Sequence, residues 1–356
     1  MHPLRLCAAW LALTPLAAAN AESYRFAVVG HLRGGPGDGN LPTAKLERLV
    51  EELRAQAPDF VVLTGDIVWG DFEAAGTPDT AAIRRDFESI DALLARVGAP
   101  IHHVPGNHDV WDATTRDLWL ERYGALQRSF EHRGSRFVLL NSCWTPGDAG
   151  GRTPGKFIRG AQLDGERLAF AREQLTSAGA AEHVFVFQHH LLWWDDGAAW
   201  WKDVHPLLAP GRVRAVFGGD MGPGKFARLE RDGVQYVQSA VDFTDRPPLE
   251  MLRNREESRA LASQLDNYLL VHVDGPAVRL ELRVVEALTS EAFSPAAWRE
   301  VYAYDVGSFE RRVFNRMNTP ERAVGWLARV GLAAGLGGAL LGGLLALLWT
   351  RRRRAA

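Results

Sequence analysis

Three short apolar runs limit what this chain can fold into. YRFAVVG (24–30), FVVLTGD (60–66) and IHHVPGNHD (101–109) each read as a buried strand that stops at glycine and gives way to polar side chains. Between them, 41–55 and 83–97 carry apolar residues at helical spacing, with Leu46, Leu49, Val50 and Leu53 on one side of the first. Strand–helix–strand–helix–strand builds an α/β sheet. Its polar ends collect along the carboxyl edge, where open α/β folds bind ligands.

The rest of the chain extends the pattern. Phe130–His132 and Arg136–Asn141 read as an antiparallel pair around Gly134, 144–160 as a long Gly/Pro-rich loop, and 162–175 as a helix. A strand at 183–188 ends in His189-His190, and one at 214–217 ends in Gly218-Gly219-Asp220. Two hairpins turn at Asp232-Gly233 and Asp274-Gly275. The charged, proline-interrupted stretch 244–264 reads as a surface insertion.

The strand ends thus bring forward Asp66, Asn107, His108, His189 and Asp220. Carboxylate, amide oxygen and imidazole suit Mn, Fe or Zn, and paired divalent ions clamp a phosphate and supply the nucleophile that attacks it. Adjacent residues on a strand face opposite ways, so only one of His189 and His190 reaches a site if the strand persists. Seven of the 12 tryptophans (Trp69, Trp111, Trp144, Trp193, Trp194, Trp200 and Trp201) follow site loops. They either fill the core and support those loops or stack on a substrate larger than inorganic phosphate.

In the order GD, GNHD, strand-His, the sequence resembles the calcineurin-like metallophosphoesterases, which include the purple acid phosphatases. The resemblance covers roughly 24–285 and implies a four-layer α/β/β/α sandwich. It implies that Asp66 bridges two metals, that Asn107 and His189 bind the second, and that His108 protonates the leaving oxygen or steadies the transition state. Asp109, which closes GNHD, joins the catalytic set by orienting His108 or capping the turn.

Two motifs depart from the family pattern. Where D-x-H is expected the chain reads His31-Leu32-Arg33, and where GHxH is expected it reads Gly219-Asp220-Met221-Gly222. The first metal position keeps Asp66, with His31 as a substitute ligand. The second keeps Asp66, Asn107 and His189, with Asp220 in place of an imidazole. One divalent ion follows, or two if His31 serves, and Arg33 stands ready to take over phosphate binding as a fixed cation. The chain is then a phosphoesterase with one well-formed metal site. The competing reading is an inactive binding or scaffold protein of the cell envelope.

The two ends speak to location. Residues 1–21 have the basic, apolar and small-residue regions of a secretory signal. Val330–Trp349 carries no charge and is followed by four arginines, so 326–350 reads as a transmembrane helix with 351–356 as a cytoplasmic tail. The expected domain occupies 22–286 and a juxtamembrane linker 287–325. This topology places the domain outside a bacterial cell membrane, in the periplasm. Between signal and anchor, 35 basic residues stand against 43 acidic ones, so nucleic acid is not an expected partner. The expected partners are a phosphorylated small molecule or envelope component, the membrane itself, and a membrane protein packed against the Gly-rich helix. Cys143 is the one cysteine of this part, which excludes an internal disulfide.

Overall fold

The computed structural model describes residues 23–34, 44–70, 78–143, 163, 165–179, 181–194, 199–208, 212–220, 225–241 and 266–285. The expected signal, linker, membrane helix and tail lie outside the described residues, as do the 144–160 loop, the 244–264 insertion and the end of the last motif, Met221-Gly222. Among the described residues, no helix is long and apolar enough to cross a membrane.

Two sheets form the frame. In the first, β1 (Tyr24–Val29), β2 (Phe60–Leu63) and β3 (Ile101–His103) run parallel. The hairpin β10 (Asn267–Asp274) and β11 (Ala277–Val284) adds antiparallel to β1, giving the order β11-β10-β1-β2-β3. The second sheet has the order β4-β5-β6-β7-β9-β8. There β5 (Ser135–Leu139), β6 (His183–Gln188), β7 (Val213–Gly218) and β9 (Val234–Ser239) run parallel, with β4 (Arg128–His132) and β8 (Phe226–Arg231) antiparallel at the edges.

The period-two alternation of each strand decides which layer a side chain enters. Phe26, Val28, Phe60 and Val62 meet Phe137, Phe185, Phe187 and Phe217 in a core between the sheets. The Phe26 ring lies 5.2 Å from Phe60, 5.3 Å from Phe137 and 5.1 Å from Phe185. The opposite face of the first sheet, through Ala27, Val29, Val61 and Leu63, is covered by α1 (Ala44–Gln56), α2 (Thr80–Leu94) and α3 (Ala113–Tyr123). Val138, Val184, Val186 and Val216 on the second sheet are covered by α4 (Gly165–Thr176), a π-turn at Trp200–Val204 and the short α5 (His205–Leu208). Strands buried on both faces explain why FVVL reads as a continuous apolar run.

Helix α3 has no counterpart in the sequence reading. It is started by a capping box, in which Asp112 accepts from Thr115 N–H at 2.8 Å and Thr115 Oγ1 accepts from Asp112 N–H at 3.0 Å. Leu118 and Trp119 then anchor it to the helical layer.

Candidate metal centre

The parallel strands of both sheets end at one edge, and close backbone approach brings these ends together. A Cβ at Gly219 would collide with the Thr64 carbonyl, and one at Gly106 with the Asp66 backbone nitrogen and Oδ1. Glycine at 106 and 219 therefore seats β7 and the β3 loop against the β2 loop. Gly65 and Asp66 are both left-handed, with φ of 87° and 54°, a conformation that glycine takes freely and aspartate tolerates. This turn aims the Asp66 carboxylate back over the strand ends.

Asp66 is the hub. Its Oδ1 accepts His108 N–H at 3.0 Å and lies 3.3 Å from His189 Nε2. Its Oδ2 accepts Arg33 Nε–H at 3.0 Å and lies 3.5 Å from His31 Nε2. Burial alone would raise its pKa, but His189, His108 and Arg33 hold the carboxyl well below the usual carboxylate range.

His189 Nδ1 lies 2.8 Å from the Thr64 carbonyl, so that nitrogen carries the proton and Nε2 faces the site. Around Nε2 gather Asn107 Oδ1 at 3.0 Å, Asp66 Oδ1 at 3.3 Å and Asp220 Oδ1 at 4.0 Å. Three oxygens and a ring nitrogen converging on one buried spot repel each other unless a cation or proton lies among them. The imidazole responds accordingly: burial pushes its pKa down, yet Asp66 and Asp220 carry it above its ordinary value. The donor set therefore fits a divalent ion of the Mn, Fe or Zn class.

The other side of Asp66 is different. His31, at a left-handed φ of 59°, points Nδ1 at the Val241 carbonyl (3.3 Å) and Nε2 at Asp66 Oδ2. Arg33 lies beside it, its guanidinium 4.8 Å from the centre of the Trp69 ring. A permanent cation thus sits on the oxygen that faces the altered first motif.

The surroundings of Asp109 and His108 define what each can do. Asp109 accepts Ile67 N–H (2.8 Å) and Val68 N–H (3.1 Å) at Oδ1 and Gly106 N–H (2.7 Å) at Oδ2. Both oxygens are occupied, so Asp109 ties the β2 loop to the β3 loop and is a positioning residue, not a reacting one. His108 points Nδ1 at the Trp69 carbonyl (3.0 Å), and burial lowers its pKa to about 4. Its Nε2 is therefore a lone pair near neutrality, and His108 protonates a leaving oxygen only after taking up a proton itself.

On a continuing strand, alternation would let only one of His189 and His190 reach the site. But β6 stops at Gln188, and both histidines lie in the bend that follows. One nitrogen of His189, one of His190 and one oxygen of Asp220 lie within 4.8 Å of one another. The strand end was the missing signal. The tryptophans also divide: Trp111, Trp193, Trp194 and Trp200 are buried supports, whereas Trp69 is half-buried between Arg33 and His108. Trp144 lies outside the described residues.

Several solved structures share this arrangement of strands. A dimetal phosphatase from Danio rerio aligns with a TM-score of 0.52 at 15% identity, over 74% of this chain and 96% of that one. GAP50, the anchor in the inner membrane complex of Plasmodium, aligns with a TM-score of 0.50 at 10% identity, over 80% and 96%. A purple acid phosphatase from yellow lupin (Lupinus luteus) seeds aligns with a TM-score of 0.47 at 12% identity, over 74% of this chain and 52% of its own. At such identities the likeness is one of fold. No curated protein matches the sequence. The calcineurin-like phosphoesterase profile, however, matches residues 29–224, which is more than half of the chain and takes in every strand-end residue described above. The chain belongs to the calcineurin-like phosphoesterase family, with its first and last metal motifs altered.

Proposed function

We propose that this protein is a metal-dependent phosphoesterase with one divalent ion, held by Asp66, Asn107, His189 and Asp220, and with Arg33 in place of a second ion. The observation that carries this reading is the convergence of three oxygens on His189 Nε2. When bound, such an ion polarises a phosphoryl oxygen and activates water. Arg33, anchored through Nε on Asp66 and through Nη1 on the Gly34 carbonyl and backed by Trp69, offers its remaining N–H donors to phosphate oxygens. Asp109 fixes the two loops that carry Asp66 and Asn107. His108 hydrogen-bonds to the substrate through Nε2. The apolar segments at 1–21 and 326–350 support export and membrane anchoring, with the domain in the periplasm acting on a phosphorylated small molecule or envelope component.

The test is hydrolysis of chromogenic phosphomonoesters and diesters by the purified full-length chain with Mn, Fe or Zn added. Asp66→Asn should abolish turnover. Turnover that survives this substitution would remove Asp66 from the reaction and overturn the assignment.

Two observations favour a second reading, a binding or scaffold protein without turnover. Arg33 engages the Asp66 oxygen that faces the altered first motif, and the fold is shared with GAP50, an anchor protein. Under this reading the chain binds phosphate and metal but hydrolyses none of the esters.

A further inference from the structure

We propose that His190 is a ligand of the surviving metal position and supplies the imidazole that the last motif has lost. The inference rests on the reading that this centre holds an ion, and adds a residue that the family motif does not supply. His189 and His190 follow the end of β6, with ring centroids 4.9 Å apart and planes at 76°. The bend turns both toward Asp220, and one donor atom from each of the three residues lies within 4.8 Å of the others. Ligand bonds of about 2.0–2.2 Å place neighbouring donors about 3–4 Å apart, so a small inward shift closes the set.

The hydrogen bonds of His190 point the same way. Its Nδ1 lies 2.9 Å from Ser142 Oγ, and that oxygen also accepts the His190 backbone N–H at 3.2 Å. In the tautomer with the proton on Nδ1, His190 Nδ1–H donates to Ser142 Oγ as His189 Nδ1–H donates to the Thr64 carbonyl, and this leaves the Nε2 lone pair for a metal. His190 is 4% exposed, and its Nε2 has no hydrogen-bond partner among the described residues. A buried ring nitrogen left unpaired is costly, and His183 and His205 avoid it. His183 pairs with Arg214 Nε (2.9 Å) and the Gly275 carbonyl (2.7 Å), and His205 with Tyr236 OH (2.6 Å) and Asp232 (2.8 Å). His103 and His132 also leave Nε2 without a hydrogen bond, but each faces one carboxylate that already has other partners, Asp91 at 3.9 Å and Asp59 at 3.5 Å. His190 faces an imidazole and a carboxylate together.

The experiment titrates the metal-free full-length chain with Co(II), followed by visible absorption, and with Zn(II), followed by calorimetry. The wild type should bind one ion, and His190→Ala should weaken binding at least tenfold and change the Co(II) spectrum. Wild-type affinity and spectrum in His190→Ala, with binding lost in His189→Ala, would overturn the role of His190 and leave the single-ion centre intact. No binding by the wild type would overturn both. Melting of the metal-free variants separates folding from ligation. If His190→Ala does not fold, Ser142→Ala carries the test: the ring stays but loses its outer partner, so affinity should fall about 10–100-fold. Unchanged affinity there overturns the proposal.

Discussion

Gly106→Ala should damage the protein far more than its size suggests. A Cβ at 106 would meet the backbone nitrogen and Cα of Asp66 and its Oδ1. The two loops cannot part freely, because Asp109 binds the Ile67 and Val68 N–H groups and Asp66 Oδ1 binds His108 N–H. Relieving the collision stretches these three bonds, at about 1 kcal/mol each, on top of about 1–3 kcal/mol for overpacking. A loss of about 4–6 kcal/mol is a large share of a typical stability of about 5–15 kcal/mol. Gly98→Ala is the control. Gly98 is left-handed, with φ of 76°, and has nothing within 4 Å of an added Cβ, so the change costs only about 1–2 kcal/mol of backbone strain. At about 2–4 °C per kcal/mol, thermal unfolding should drop by about 10–20 °C for Gly106→Ala and by about 2–8 °C for Gly98→Ala. Zinc affinity measured below the melting range should fall only in the first. A Gly106→Ala melting point no lower than that of Gly98→Ala would refute the claim that close backbone approach builds the centre.

Three more outcomes follow from the same contacts. Phe26→Ala empties the middle of the inter-sheet aromatic core, and urea unfolding should register a loss of about 3–5 kcal/mol. If Arg33 binds phosphate as proposed, Arg33→Ala should weaken inhibition by inorganic phosphate about tenfold, and Arg33→Lys should not restore it because the Nε anchor on Asp66 is gone. Burial, with Arg128 beside it, lowers the His103 pKa to about 3, so the unfolded chain takes up this proton at a pH where the folded one does not. Stability is therefore complete above the unfolded value near 6.5 and is lost as pH falls from there toward 3, by about 2 kcal/mol between pH 7 and 5. His103→Phe, which keeps the stack on Tyr123, should flatten that limb of the urea midpoint against pH.

What could be read from the sequence was set by the range of the interactions involved. The buried strands were legible because burial on both faces leaves a continuous apolar run, and the hairpins at Asp232-Gly233 and Asp274-Gly275 because a turn is local chemistry. Helix α3 was missed because its apolar positions show little periodicity and its start depends on the Asp112–Thr115 box. The tryptophans stayed undivided between core support and substrate stacking, since nothing local separates Trp193, fully buried against the second sheet, from Trp69, half-buried with its ring 4.7 Å from that of His108. His190 was missed because alternation holds only while the strand lasts, and β6 ends two residues before it.

The same distinction explains how the centre keeps its shape while its ligands have changed. The strand ends are brought together by backbone against backbone: Gly219 on Thr64, Gly106 on Asp66, and the N–H groups of Gly219 and Asp220 on the His189 carbonyl at 2.9 Å each. None of these contacts uses an imidazole, so replacing the motif histidines with Arg33 and Asp220 leaves the cleft in place. The number of ions and the fate of a phosphate depend instead on side-chain charge, and here the two halves of the centre diverge. On one side of Asp66 a guanidinium already neutralises Oδ2, while on the other a ring nitrogen and three oxygens face one another across a gap suited to a cation. This divergence is what the proposed single-ion function rests on: one side of Asp66 offers a donor set for a cation, and the other already carries a guanidinium.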